Sequence, residues 1–307
     1  MTRAVVIGYG SIGQRHVRVL AGLGIEVAVV SRRTAEGTMT VYRDVGAALA
    51  TRTPDIAVVA DETARHRASL VALRAGGFAG PVLVEKPVFE RVAPGDARAD
   101  DTVFVGYNLR FHPLALALKQ WLEGKRAITA QLHVGQHLAD WRPGRDHHTG
   151  YSAKPELGGG VLRDLSHELD LALWLFGPLR RVAALGGASG LLGTEADDHQ
   201  MILAAFERCA AATITMNALD RPAHRGVHVS TDGGSATLDF LAGTLVAEGH
   251  ETLRAVPDRD HTYTEQHRTF LAGGAAPLCT YAEGLAALRF VEIVERAQAE
   301  RAWIEAA

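Results

Sequence analysis

Three places in this 307-residue sequence carry side chains whose type and spacing could do chemistry. The first is Gly8-Tyr9-Gly10-Ser11-Ile12-Gly13, a GxGxxG between an apolar run at 4–7 and a helical pattern at 12–23. In that setting the first glycine permits a tight turn, the second lets backbone amides approach a pyrophosphate, and the third lets the helix pack on the strand. The helix start then offers free N–H groups to an anion, so Gly8, Gly10, Ser11, Ile12 and Gly13 are expected to hold a dinucleotide. The second place is the apolar run 82–84, which ends in Glu85, Lys86 and Pro87. Ligands of open α/β sheets sit at the carboxyl ends of the strands, which puts Lys86 at a nicotinamide and its substrate. Glu85 can pair with Lys86 or with a polar group nearby, and the competing reading of Lys86 is a surface lysine at a strand end. The third place follows three glycines, Gly158 to Gly160, and carries Asp164, His167 and Glu168. On one helix over 162–176 these three share a face. Oxidation of a hydroxyl needs a base, and histidine suits neutral pH. His167 is therefore assigned as acid/base, Asp164 as its orienting partner and Lys86 as the group that polarises the substrate oxygen. The alternative is a core histidine with a structural aspartate.

Cofactor choice is read at the end of the second strand, where an NAD site usually carries an acid for the ribose hydroxyls. This chain has Ser31, Arg32 and Arg33 there. Two cations and a hydroxyl suit a 2′-phosphate, which favours NADP over NAD, against the alternative of a solvated basic turn. Asp61, Glu62 and His66 follow the third strand and could line the cofactor cleft, His66 equally as a structural cap. Arg110 could hold a ribose, a phosphate or a substrate group, or lock two domains together. HELD at 167–170 lacks the second histidine of a zinc HExxH, and the adjacent His147 and His148 are poorly spaced for one ion, so no metal is expected.

These groups need a scaffold. Val/Ile-rich runs at 4–7, 27–30, 56–60, 82–84 and 103–105 read as strands buried on both faces. Helical patterns lie between them, the second capped by Asp44 and the third, over 63–75, by Thr63. That alternation predicts a Rossmann-type doubly wound parallel sheet over residues 1–110. After Gly106 the pattern changes. A helix at 113–122 precedes segments at 127–137, 179–186, 199–206, 211–218, 226–230 and 235–240 that read as an open, mostly antiparallel sheet. A closing helix over about 281–302 completes an α+β domain assigned to 111–307.

Composition excludes several classes. A net charge of −3 gives no reason for nucleic acid or an acidic membrane as partner. No stretch approaches the ~20 apolar residues of a membrane span. The two cysteines lie far apart and form no CxxC, and the start carries no signal-like apolar run, so a cytoplasmic location is expected.

The string GYGSIGQRH, PDIAVVADETARHR, VLVEKP, VGYNLRFHP and GGGVLRDLSHELD, in that order over residues 8–170, resembles the glucose–fructose oxidoreductase / inositol dehydrogenase / rhizopine-catabolism (Gfo/Idh/MocA) family. The resemblance implies an NAD(P)-dependent oxidoreductase of a sugar, sugar nucleotide or cyclitol, with the EKP lysine, Lys86, beside the nicotinamide. It implies that an Asp and a His of the second domain complete the site, that Trp141 and Arg142 lie near the nicotinamide, and that Tyr151 faces the substrate. A homodimer or homotetramer is expected, because such open sheets are often buried by association. Two rival activities belong to the same family: a non-catalytic dinucleotide-binding regulator, and a redox-neutral elimination or glycoside cleavage through transient oxidation. The sequence departs from the family pattern twice. The Asp-to-His spacing is three residues where four is usual, so alignment on Asp164 puts Glu168 in the histidine's place. The stretch 88–102 is too short for the usual helix, which leaves either a partly uncovered sheet, open to a partner, or a shortened loop.

Overall fold

The computed structural model describes residues 2–32, 39–96, 100–142, 144, 146–155 and 158–306. It divides into two compact units: residues 1–111 with 258–288, and residues 112–257 with 289–307.

The first unit begins with β1 (Arg3–Ile7), α1 (Ser11–Gly22), β2 (Glu26–Val30), β3 (Val41–Tyr42), α2 (Val45–Thr51), β4 (Ile56–Val59), α3 (Thr63–Ala75), β5 (Val82–Val84) and β6 (Val103–Val105). These strands pair in parallel in the spatial order β3-β2-β1-β4-β5-β6, the strand order of a dinucleotide-binding sheet. Ile56 to Val59 and Val82 to Val84 are buried at every position, as expected of strands covered on both faces. Asp44 caps α2 as its position suggests, accepting from the Ala47 amide at 2.7 Å. The cap of α3 is Glu62 rather than Thr63, which is already the first helical residue.

No helix separates β5 from β6 among the described residues. The sheet is nevertheless not bare there. Val88 and Phe89 are buried, and the Arg67 guanidinium lies 4.0 Å over the Phe89 ring while pairing with Asp96. Among the described residues the segment is a short loop anchored at Val88, Phe89 and Asp96.

The second unit follows with α4 (Pro113–Trp121), β7 (Ala127–Gly135), α5 (Leu138–Trp141), α6 (Val161–Asp164), α7 (His167–Phe176), β8 (Leu179–Gly187), β9 (His199–Phe206), β10 (Cys209–Asn217), β11 (His224–Thr231), β12 (Gly234–Asp239), β13 (Thr244–Ala247) and β14 (Leu253–Arg254). The last quarter of the chain adds α8 (His261–Leu271), β15 (Cys279–Thr280), α9 (Tyr281–Glu300) and β16 (Ile304–Glu305). The second sheet runs β14-β13-β12-β11-β7-β10-β9-β8-β16, antiparallel throughout except for β7 with β10. Its strands alternate through the central rows. Ile202, Ile214, Leu132, Val227, Leu238 and Leu245 are buried, whereas the neighbouring row Leu203, Thr213, Gln131, His228, Thr237 and Val246 lies on the other face.

Two sequence expectations are corrected here. The second domain does not run unbroken to the C-terminus, because α8 and β15 belong to the first unit, with Phe270 and Leu278 in its core. The helix expected over 162–176 is two helices, α6 and α7, separated by Leu165 and Ser166. The i→i+3 bonds Ser166 N to Arg163 O (3.4 Å) and Glu168 N to Leu165 O (3.1 Å) replace the α ladder there. Asp164 and His167 therefore sit on different helices, and neither a three- nor a four-residue helical spacing describes them. Among the described residues no helix is long and apolar enough to cross a membrane.

Candidate active site

In the first unit the glycine loop is built for close approach. Gly8 has φ 98°, and a Cβ there would lie 2.6 Å from the Ala60 carbonyl oxygen. A Cβ on Gly13 would lie 2.1 Å from the Gly8 carbonyl oxygen, so any side chain would push the loop off the helix. At Gly10 a Cβ would meet nothing within 4 Å. Gly10 is the N-cap of α1, with no side-chain cap and no acid in the first turn, so Ser11 and Ile12 open a twelve-residue helix toward free space. Uncapped N–H groups at the positive end of a helix dipole, with room before them, fit a pyrophosphate.

Beyond β2, the Ser31 amide donates to the Tyr42 carbonyl at 3.0 Å and Arg32 is exposed, while Arg33 lies outside the described residues. Asp61 accepts from the Ser69 hydroxyl at 2.7 Å, and burial holds its carboxyl above the usual range. Glu62 is exposed at the start of α3. His66 is buried, and the oxygens that its ring nitrogens reach are backbone carbonyls: Pro87 at 3.1 Å, Val88 at 3.3 Å and Asp61 at 3.2 Å. It ties α3 to the turn after Lys86, which is the capping reading.

Lys86 is half-buried at the end of β5. Its backbone amide donates to Glu85 Oε2 at 3.2 Å. Glu85 is buried, and its other oxygen, Oε1, meets His16 Nε2 at 2.8 Å. Burial alone would raise the Glu85 pKa. The His16 contact outweighs it, together with the Lys86 charge and amide, and holds the carboxyl below its ordinary value. Arg110 is 2% exposed and pairs with Glu283 at 3.1 Å, and both lie in the first unit, so this pair does not join two domains.

In the second unit Asp164 is buried at the end of α6 and accepts from the Tyr151 hydroxyl at 2.5 Å. Burial and the adjacent carboxylate push the Tyr151 phenol well above its usual pKa, although 42% of the residue remains exposed. The Arg142 guanidinium stands 5.2 Å from the Tyr151 ring centre, and the Trp141 indole N–H donates to the Gln136 carbonyl at 2.8 Å. Trp141, Asp164, Ser152, Gly160 and Asp197 line one small recess. His167 is half-buried as the first residue of α7. Glu168 is 2% exposed and meets Arg225 Nε at 2.7 Å, so it faces an internal partner.

Two of the three glycines have an unexpected use. A Cβ on Gly159 would lie 2.1 Å from the Tyr151 carbonyl oxygen, and one on Gly160 (φ 118°) 1.8 Å from Asp197 Oδ1. They admit the chain's own Tyr151 segment and the Asp197 carboxylate. Asp197 also accepts from the Leu162 amide at 3.0 Å and from Gln200 Nε2 at 2.9 Å, and burial with nearby Asp164 keeps its pKa raised. No motif marks Asp197 in the sequence. The ligand atoms of Asp146, His147 and His148 lie within 4.8 Å of one another, a proximity that histidine spacing alone did not suggest. Asp146 Oδ1 already serves there as acceptor for the His148 amide.

The sequence model of the GFO/IDH/MocA C-terminal domain matches residues 116–237. No curated protein matches the sequence. Solved structures similar over the whole chain include levoglucosan dehydrogenase in complex with NADH and L-sorbose, with TM-score 0.84 and 16% identity over 100% of this chain and 99% of the other. GenD2 from gentamicin A biosynthesis in complex with NAD gives 0.80 and 22% over 100% and 96%. The WlbA dehydrogenase from Bordetella pertussis in complex with NADH and UDP-GlcNAcA gives 0.79 and 22% over 100% and 99%. Residues 116–237 thus match the GFO/IDH/MocA C-terminal domain, and the chain as a whole shares the fold of these solved structures.

Proposed function

We propose that this chain is an NAD(P)-dependent oxidoreductase that moves hydride between a nicotinamide and a CH–OH carbon of a sugar, sugar nucleotide or cyclitol. The observation that carries the reading is the open, uncapped start of α1 behind a glycine loop that tolerates no side chain at Gly8 or Gly13, on the sheet that also presents Lys86. The ligands of three similar structures support it: NAD with GenD2, NADH and L-sorbose with levoglucosan dehydrogenase, NADH and UDP-GlcNAcA with WlbA.

In this reading the α1 N–H groups hold the pyrophosphate and the nicotinamide supplies or accepts the hydride. The Lys86 ammonium stabilises negative charge that develops on the substrate oxygen, a task for which a fixed donor is worth far more than water. His167 takes the hydroxyl proton as the C–H bond breaks. Asp164, which accepts from the Tyr151 hydroxyl, is assigned to orient or tune His167. Arg32, with Arg33, favours NADP through the 2′-phosphate. The outward face of the second sheet, with Met201 60% and Leu185 75% exposed, favours a homodimer or homotetramer. A cytoplasmic location follows from the absence of a disulfide framework in the sequence reading.

The test is a fluorescence titration of the protein with NADPH and NADH, repeated on an Arg32→Ala, Arg33→Ala variant. NADPH should bind tighter, and the variant should weaken it by about tenfold or more, the worth of a charged hydrogen bond. A subsequent sugar and cyclitol screen should find turnover that Lys86→Met lowers by roughly 10²–10³-fold with dinucleotide affinity retained. Tighter NADH would overturn the 2′-phosphate site alone. Failure to bind either nucleotide would overturn the oxidoreductase reading.

A further inference from the structure

Three residues from distant parts of the first unit meet in its interior. Glu85 follows β5, His16 sits on α1 one turn past Gly13, and His267 lies on α8, 251 positions beyond His16. His16 Nε2 meets Glu85 Oε1 at 2.8 Å, and His16 Nδ1 meets His267 Nε2 at 2.8 Å. The two imidazoles cross edge to face at 86° with ring centres 5.0 Å apart. Both are fully buried. Among the described residues His267 Nδ1 has no hydrogen-bond partner.

We propose that His267 and His16 form a positioning strut for Lys86, reaching it through Glu85; the proposal rests on the reading of Lys86 given above. Chemistry fixes the direction of the bonds. An ionised Glu85 only accepts, so His16 Nε2 donates to it. Burial keeps the His267 pKa well below its ordinary value, so His267 carries one proton and two choices of nitrogen for it, and an uncharged His16 keeps Nδ1 as an acceptor. With the proton on Nε2, His267 donates to His16 Nδ1 and leaves a bare acceptor at Nδ1. With the proton on Nδ1, a buried N–H would have no partner, which native interiors avoid more strictly than an unpaired acceptor. The chain then runs His267 Nε2–H to His16 Nδ1, and His16 Nε2–H to Glu85 Oε1.

The far end of the strut is what matters for the site. Glu85 spends one oxygen on His16 and the other on the Lys86 amide at 3.2 Å. The carboxylate cannot swing without losing both. It is also fenced by Gly106, where a Cβ would lie 2.9 Å from Glu85 Oε1. Other charged or titratable groups around the strut are Lys86, Tyr263, whose ring is 5.7 Å from His16, and the Arg15 and Asp260 pair that holds Tyr263 and α8 against α1. The arrangement joins the helix of the glycine loop to the strand end that bears Lys86. Neither histidine touches the proposed substrate, so both are positioning residues.

The experiment compares the full-length protein with His267→Leu and His267→Gln. Leucine removes the donor, whereas the glutamine amide can restore it at the Nε2 position. Ring ¹⁵N spectra of the unaltered protein should show His16 and His267 protonated at Nε2 only; a proton on Nδ1 of either ring would overturn the direction of the strut. Hydrogen exchange at the Lys86 amide should quicken about tenfold in His267→Leu, the worth of one buried hydrogen bond, and return toward the original rate in His267→Gln. Equal exchange in all three proteins would overturn the positioning role. Where turnover is measurable, kcat should fall by about tenfold in the leucine variant while dinucleotide Kd stays within about twofold. A parallel loss of Kd would instead mark general damage and overturn the proposal. The spectra and the exchange need no substrate, so failure of the oxidoreductase reading would show separately, as absence of nucleotide binding in the unaltered protein.

Discussion

Glu168 and Arg225 meet at 2.7 Å in the second unit, one side chain 3% and the other 26% exposed. A buried acid whose partner is removed keeps its desolvation cost, so the pair matters more when broken than when formed. Arg225→Met should lower the unfolding free energy by about 2–3 kcal/mol, less than a fully buried pair because water reaches part of the guanidinium. Urea denaturation measures this. If turnover in Glu168→Gln fell far more steeply than stability, Glu168 would have a chemical role and the internal pairing would not be its main use. The residue scale also shows where sequence reading stopped. Glu168 rivals His167 only on a single helix that puts both on one face with Asp164; the partner that occupies it, Arg225, is 57 positions away.

Elements tell a similar story through their breaks. The five strands of 4–7 to 103–105 were legible because each is a short Val/Ile run, and a run buried on both faces needs no periodicity to be seen. The split between α6 and α7 was not legible, since two turn residues barely disturb the leucine pattern that runs through 162–176. Helix α8 was missed for a different reason. Its buried residues are Gln266, His267 and Phe270, so the stripe that packs inward is mostly polar and sends no hydrophobic signal. The glycines before α6 were legible as a close approach, but the approaching groups are Tyr151 and Asp197. Gly160→Ala should therefore cost about 2–4 kcal/mol, because φ 118° is strained for alanine and Asp197 is tied by two further hydrogen bonds. Gly158→Ala is the control. It also has a positive φ, 81°, but nothing lies within 4 Å of its Cβ, so about 1 kcal/mol is expected. Equal losses in urea denaturation would argue against the Asp197 contact as the cause.

For the molecule as a whole, the nine-stranded sheet shows an outward face that alternation alone predicts to be polar. Thr213, Gln131, His228 and Thr237 meet that expectation, but Met201 and Leu203 beside them are 60% and 42% exposed. Exposed apolar groups on a broad flat sheet mark a surface that association would cover. Light scattering should report a dimer or tetramer, and a Met201→Lys, Leu203→Lys variant should shift it toward monomer with the thermal midpoint of the monomer little changed. An unchanged assembly would place the contact elsewhere, and a monomeric parent protein would remove it.

The first unit is assembled from residues 1–111 and 258–288, and this has a consequence for how the protein is made. A ribosome delivers the glycine loop and Lys86 early, yet β15 at the edge of their sheet and His267 behind them emerge only after eight of the nine strands of the second sheet. At roughly 5–20 residues per second the gap lasts about ten to thirty seconds. During that wait β6 is an open sheet edge and Glu85 and His16 lack the third member of their chain. The first sheet is thus completed only after residue 280 has been made, and until then the nascent chain carries that edge unpaired.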